Sequence, residues 1–163
     1  MKTRPCKAPE NWRDLKPHPL SEVIEFGAGI DLDAFEAFML EHGYDESEPI
    51  ILIEDGADPQ ILDGRHKFAV ALKLNIRPSF AMFAGSNPMA FVLKKIHRQH
   101  LDDAQRAEIA AKLATVPLGA NQHTKKEGGP NGPPSMTTEK AAKALNVSVQ
   151  RVKRAKEIGR AHV

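Results

Sequence analysis

The sequence predicts an α+β fold, a small mixed domain followed by a helical segment with helix-turn-helix spacing. Three observations carry this. Short apolar runs rich in β-branched residues alternate with stretches of helical periodicity between Asp31 and Thr115. A Gly- and Pro-rich stretch over 116–136 then breaks the pattern. Helical periodicity resumes at Thr138, with Ala141, Ala142, Leu145, Val147, Val152 and Ala155 as its apolar positions. The 163 residues, 41% of them hydrophobic, suffice for one ordinary domain with a small appendage.

Each element follows from local chemistry. Residues 1–16 carry Pro5 and Pro9 and little apolar content, and read as an irregular lead-in. Asp31 is a candidate N-cap, Phe35, Phe38 and Met39 follow at helical spacing, and Gly43 fits the stop, so a helix is expected over Leu32–His42. Pro49–Ile53 reads as a strand, Asp55-Gly56 as its turn and Gln60–Leu62 as a returning strand. Beyond Asp63-Gly64 a helix begins at Arg65, buries Phe68, Ala71 and Leu72, and stops at Asn75. Pro78–Phe83 is a further strand. Asn87-Pro88 opens a helix with a capping residue followed by Pro at its first position, and Phe91, Val92 and Ile96 lie on it. Asp102 and Gln105 have capping-box spacing for the next helix, which buries Ile109, Ala110 and Leu113. These elements give a domain over 17–115. Residues 116–136 are then a linker or loop, because such a composition buries too little apolar surface to repay ordering.

Charge is divided along the chain. Up to residue 93 there are nine Lys/Arg against fifteen Asp/Glu; from Lys94 onward there are fourteen against six. The overall balance of +2 names no partner, but a basic rear suggests contact with a polyanion. No apolar run approaches the roughly 20 residues that span a bilayer, and Met1–Arg13 has no apolar segment of a signal peptide. Cys6 is the single cysteine, which excludes an internal disulfide framework and a Cys-x-x-Cys metal knuckle. A cytoplasmic location without a membrane partner is the default expectation.

The segment 137–163 has the spacing of a helix-turn-helix. Asn146 suits the tight turn, since Asn tolerates a left-handed backbone. Ser148 would cap the second helix, and Ala142 is small where the two helices cross. A bound duplex would meet Ser148, Gln150, Lys153 and Arg154, with Arg151 and Lys156 near phosphates. The competing reading is a helical hairpin with a solvated charged face. Two helices alone rarely fold, so a third is expected from the preceding domain, from residues beyond Val163, or from a partner. Proteins with this motif usually dimerise to read two half-sites, so a homodimer is a candidate assembly, although no dimerisation segment is evident in the sequence.

The other informative stretch is Ile61–Ala69. A strand runs into Gly64, and a helix starts with Arg65, His66 and Lys67. Unpaired N–H groups and the dipole at a helix start favour anions, and Gly64 lets a phosphate approach the backbone. Locally, a turn with solvated charges explains the same residues. His97, His100 and Asp103 are spaced too loosely, across a helix break at Leu101-Asp102, for a zinc site, and no metal site is assigned. Gly27-Ala28-Gly29 lacks the rest of a dinucleotide fingerprint. The acidic clusters Asp31/Asp33 and Asp45/Glu46/Glu48 read as a solvated face.

Taken together, His18-Pro19-Leu20, the helix ending at His42-Gly43, Pro49–Leu52, Leu62–Lys67 and His97–Leu101 leading into Gln105-Arg106-Ala107 resemble the N-terminal domain of the ParB/sulfiredoxin superfamily over residues 17–115. ParB-type proteins commonly place a helix-turn-helix after that domain. The resemblance implies double-stranded DNA as partner, in plasmid, phage or chromosome partition or in transcriptional control. It also implies a cleft for CTP or another nucleotide with Mg2+. In that cleft Gly64, His66 and Lys67 match the phosphate motif, with Arg65 beside them, and Arg98 matches the following helical motif; Lys94 and Lys95 stand where that motif usually opens with Glu-Asn and are candidate contacts to phosphates of a nucleotide or of DNA. A nucleotide-dependent enzyme (a nucleotide hydrolase, phosphoryl-transfer enzyme or nuclease) is the alternative. Arg65 stands where ParB proteins usually carry Glu and where sulfiredoxin carries its reactive cysteine, so sulfinic-acid repair is not expected.

Overall fold

The computed structural model describes residues 3–25, 30–55, 58–116 and 136–161. By chain contacts it divides into two compact units, Met1–Val92 and Leu93–Val163. The fold is α+β, and all four described strands belong to the first unit.

The first unit is built on a mixed sheet of β1 (Thr3–Cys6), β2 (Ile50–Glu54), β3 (Pro59–Asp63) and β4 (Phe80–Phe83), in the order β1-β4-β2-β3. β2 and β4 run parallel at the centre, and each edge strand is antiparallel to its neighbour. Ile50, Ile51, Leu52 and Ile53 are all buried, which explains why β2 reads as an unbroken apolar run rather than an alternating one. Helix α1 (Leu32–His42) starts where the Asp31 carboxylate accepts the Ala34 N–H at 2.9 Å, and ends at Gly43 with φ 79°. Helix α2 (Arg65–Lys73) begins directly after β3 at Gly64 and ends before Asn75, whose φ is 53°. Helix α3 (Pro88–Ile96) opens where Asn87 accepts the Ala90 N–H at 2.9 Å.

The lead-in is not irregular throughout. Thr3–Cys6 pairs with β4, placing Arg4 opposite Met82, and Trp12 is 4% exposed in the core. Its indole meets the rings of Phe68 and Phe80, each at 6.3 Å, and packs with Leu15, Ile50, Leu52, Ile61 and Met82. Pro5 is tolerated because β1 is an edge strand, where a missing N–H need not break the ladder. Phe83, one residue on from Met82 and so on the opposite face, meets Phe91 of α3 at 5.3 Å.

The second unit contains α4 (Asp103–Leu113), α5 (Thr138–Ala144) and α6 (Val149–Ala161). Asp102 and Gln105 form the expected reciprocal capping box at the start of α4. Ala110, Leu113, Ala141, Leu145 and Val152 are almost fully buried. The sequence reading placed α4 in a domain ending near Thr115; instead α4 packs against both α5 and α6 and supplies the third helix that the hairpin lacks. Most of the expected linker, residues 117–135, lies outside the described residues, as do Gly27-Ala28-Gly29 and Gly56. No described helix is long and apolar enough to cross a membrane.

Candidate functional site

The second unit is the basic one: the charge division seen in the sequence falls at the boundary between the units. Its α5–turn–α6 segment carries seven Lys/Arg against two Asp/Glu between residues 137 and 161. The turn follows from its residues. α5 closes with Leu145 N–H on the Ala141 carbonyl, and Asn146 then takes φ 53°. The next N–H, from Val147, returns to the Ala142 carbonyl at 3.0 Å, and Ala142 itself is buried. Ser148 accepts the Arg151 N–H on its hydroxyl at 3.3 Å and the Val152 N–H on its carbonyl at 3.2 Å, which starts α6. Four residues, Leu145–Ser148, therefore separate two helices braced by a third, within the range of a helix-turn-helix.

The six side chains assigned to duplex contact divide into two groups. Ser148, Gln150, Lys153 and Arg154 are exposed, as a reading surface requires. Arg151 is exposed too, but its guanidinium is paired with Asp103 of α4. Lys156 is half-buried and donates to the Thr138 hydroxyl at 3.0 Å, so it ties α6 to the start of α5 rather than standing ready for a phosphate. The Glu139 carboxyl is held below the usual carboxylate range first by its own backbone N–H and the Thr137 hydroxyl, and then by the nearby Lys153 and Lys156 ammonium groups. Asp103, weighed in the sequence as a metal ligand, is instead drawn below its ordinary pKa by Arg106 and Arg151. Among the described residues no group of three metal-ligating side chains comes together.

In the first unit the Gly64 junction has the expected backbone. Gly64 has φ 94°, and a Cβ there would sit 3.3 Å from Ile50 Cγ1, so both conformation and space call for glycine. The three basic residues that follow do not converge. Arg65 donates to the Ile24 carbonyl at 2.6 Å and thereby fastens the 22–25 segment to α2. Lys67 is paired with the Glu48 carboxylate and also reaches the Glu48 carbonyl, which accepts the Tyr44 hydroxyl as well. Burial of the Tyr44 phenol pushes its pKa up to about 12, so the hydroxyl remains a donor there. His66 is pushed below the usual histidine range first by burial and then by the neighbouring Arg65 charge, so it contributes a neutral ring at pH 7. The local positive charge expected from three adjacent bases is thus one neutral imidazole and two side chains with protein acceptors. Successive helical residues diverge by about 100°, which is why adjacency in sequence did not produce a cluster. Arg98, joined to this motif by the family pattern, and Lys94 and Lys95, which depart from that pattern, belong to the second unit, at the end of α3 and in the turn after it. Lys94 and Arg98 are exposed and Lys95 is half-buried.

A pair that sequence reasoning did not assign, a buried histidine and a half-buried carboxylate, lies at the end of β2. His18 is 3% exposed; its Nε2 lies 3.0 Å from Asp55 Oδ2, and its Nδ1 accepts the Leu20 N–H at 3.1 Å. Because Nδ1 is an acceptor, the proton resides on Nε2 and is donated to Asp55. The Ser21 hydroxyl donates to the His18 carbonyl rather than to a ring nitrogen, so these groups are a structural clasp and not a nucleophile with its base. No protein-family model matches this chain, and no curated protein matches it.

Proposed function

We propose that the chain is a double-stranded-DNA-binding protein of ParB-like type, acting in plasmid, phage or chromosome partition or in transcriptional control, in the cytoplasm. The observation that carries the reading is the left-handed Asn146 turn between α5 and α6, backed by α4, with Ser148, Gln150, Lys153 and Arg154 exposed on α6 and its cap. Gln150 can read a base edge, while Lys153 and Arg154 can bind phosphates or guanine. A homodimer would present two such helices to two half-sites. In this reading residues 17–115, which take in most of the acidic first unit and helix α4 of the second, are the ParB N-terminal-like domain.

Fluorescence anisotropy of the full chain with a labelled duplex tests this. Binding with a Kd on the order of 10⁻⁴–10⁻⁶ M at physiological salt is expected even for a duplex of arbitrary sequence, tightening as salt is lowered. A folded protein that binds no duplex at low salt would overturn the reading.

A nucleotide phosphate at the start of α2 is the second reading, favoured by Gly64, which puts no side chain over the helix start. CTP or ATP with Mg2+ would have to draw Lys67 away from Glu48. Thermal protection by nucleotide, lost in Lys67→Ala, is the expected result; no protection by any nucleotide would remove this reading and leave the DNA-binding one standing.

A further inference from the structure

We propose that Arg106 of α4 and Arg151 of α6 form an anion site for a DNA backbone phosphate, and that Asp103 occupies it as an internal substitute until the duplex displaces it. The proposal rests on the DNA-binding reading and adds α4 to the interface.

The Asp103 carboxylate uses both oxygens. Oδ1 accepts from Arg106 Nη2, three residues along α4, and Oδ2 accepts from Arg151 Nη1 in the first turns of α6. The side chains of Asp103, Arg106 and Arg151 are 53%, 35% and 58% exposed, so an anion arriving from solvent can reach the place the carboxylate holds. Asp103 and Arg151 also line a cavity of about 710 Å³ between α4 and α6, together with Glu108 and Arg154.

Charge favours exchange. Two guanidiniums face one carboxylate, so the cluster keeps a net positive charge while it is paired. A phosphodiester, like a carboxylate, is a monoanion that offers two oxygens to a guanidinium fork. The present pairing is incomplete, since Arg106 Nε is buried without a hydrogen-bond partner. Ion pairs this exposed contribute little, so giving up Asp103 for a phosphate costs little. Released, Asp103 returns to water at the first position of α4, where the helix dipole favours a carboxylate.

The test uses the full chain and a labelled duplex in salt titrations. Asp103→Asn, which keeps the shape and removes the charge, is expected to tighten binding about three- to tenfold at low salt. Arg106→Gln is expected to weaken binding and to reduce the slope of log affinity against log salt by about one. Glu108→Gln, the same charge change on a residue that lines the same cavity but is paired with Lys112 and not with the two arginines, is expected to have a smaller effect than Asp103→Asn. In an Arg106→Gln/Arg151→Gln background, Asp103→Asn should gain no more than Glu108→Gln does. The proposal is overturned if the wild type binds and Asp103→Asn does not bind more tightly, or if its gain survives intact without the two arginines. Should Asp103→Asn fail to fold, an Arg106→Gln variant with unchanged slope overturns it equally. Loss of duplex binding by every form, wild type included, would instead sink the DNA-binding reading on which it rests.

Discussion

At the scale of single residues, environment decides what each basic side chain can do. His66 illustrates this with a definite sign. Its folded pKa is depressed, so below about 6.5 the unfolded chain takes up a proton that the folded chain resists. Its contribution to stability is therefore present above that pH and is lost as pH falls through the depressed folded value. Urea unfolding midpoints between pH 7.5 and 5 should fall for the wild type and fall less for His66→Gln; equal slopes in the two would refute the assignment. The carboxylates held low, Asp45 and Asp103 among them, titrate below this window and do not confuse it. His18 gives a second case. Replacing it with Ala strands the Leu20 N–H and removes the Asp55 contact in a buried place, for an expected loss of about 2 kcal/mol. A chemical-denaturation difference near zero would show that the clasp is not structural. Neither environment was legible in the sequence. Arg65-His66-Lys67 looks like a charge cluster until Ile24 and Glu48, far away in the chain, are seen to take up two of its members.

At the scale of elements, legibility followed local chemistry. The helix Leu32–His42 was readable to the residue because Asp31 and Gly43 mark its two ends by local hydrogen bonding and backbone conformation. The capping box before α4 was readable for the same reason. β1 was not, because an edge strand of four residues with a proline carries no alternating apolar signal, and its existence depends on β4 being beside it. The role of α4 was hidden in the same way: its amphipathic pattern shows that it buries a face but not which partner it buries it against. The turn in the second unit was readable from Asn146, and its cost can be measured. Asn146 is exposed, so substitution there tests backbone conformation with little change in packing. Asn146→Val should lose about 1–2 kcal/mol, since a β-branched residue resists a left-handed backbone. Asn146→Gly should be close to neutral in the same thermal or denaturant unfolding. Equal losses for both would mean that the side chain, and not the φ of 53°, matters at this position.

At the scale of the whole molecule, the chain joins an acidic unit to a basic one, with the change of sign at the boundary between them. The α+β architecture and the charge division were both visible in the sequence. The division into units was misplaced, because contiguity along the chain put α4 with the sheet while its buried face belongs with α5 and α6. The functional account depends on the basic unit presenting the outer side of α6 to a phosphate backbone. The most direct measurement is the salt dependence of duplex binding by the wild type and by Lys153→Ala/Arg154→Ala, two exposed positions whose truncation leaves the buried core of this unit untouched. The account predicts weaker binding by the double variant and a slope of log affinity against log salt shallower by about two, reflecting two lost phosphate contacts. An equally folded double variant with the affinity and slope of the wild type would contradict it.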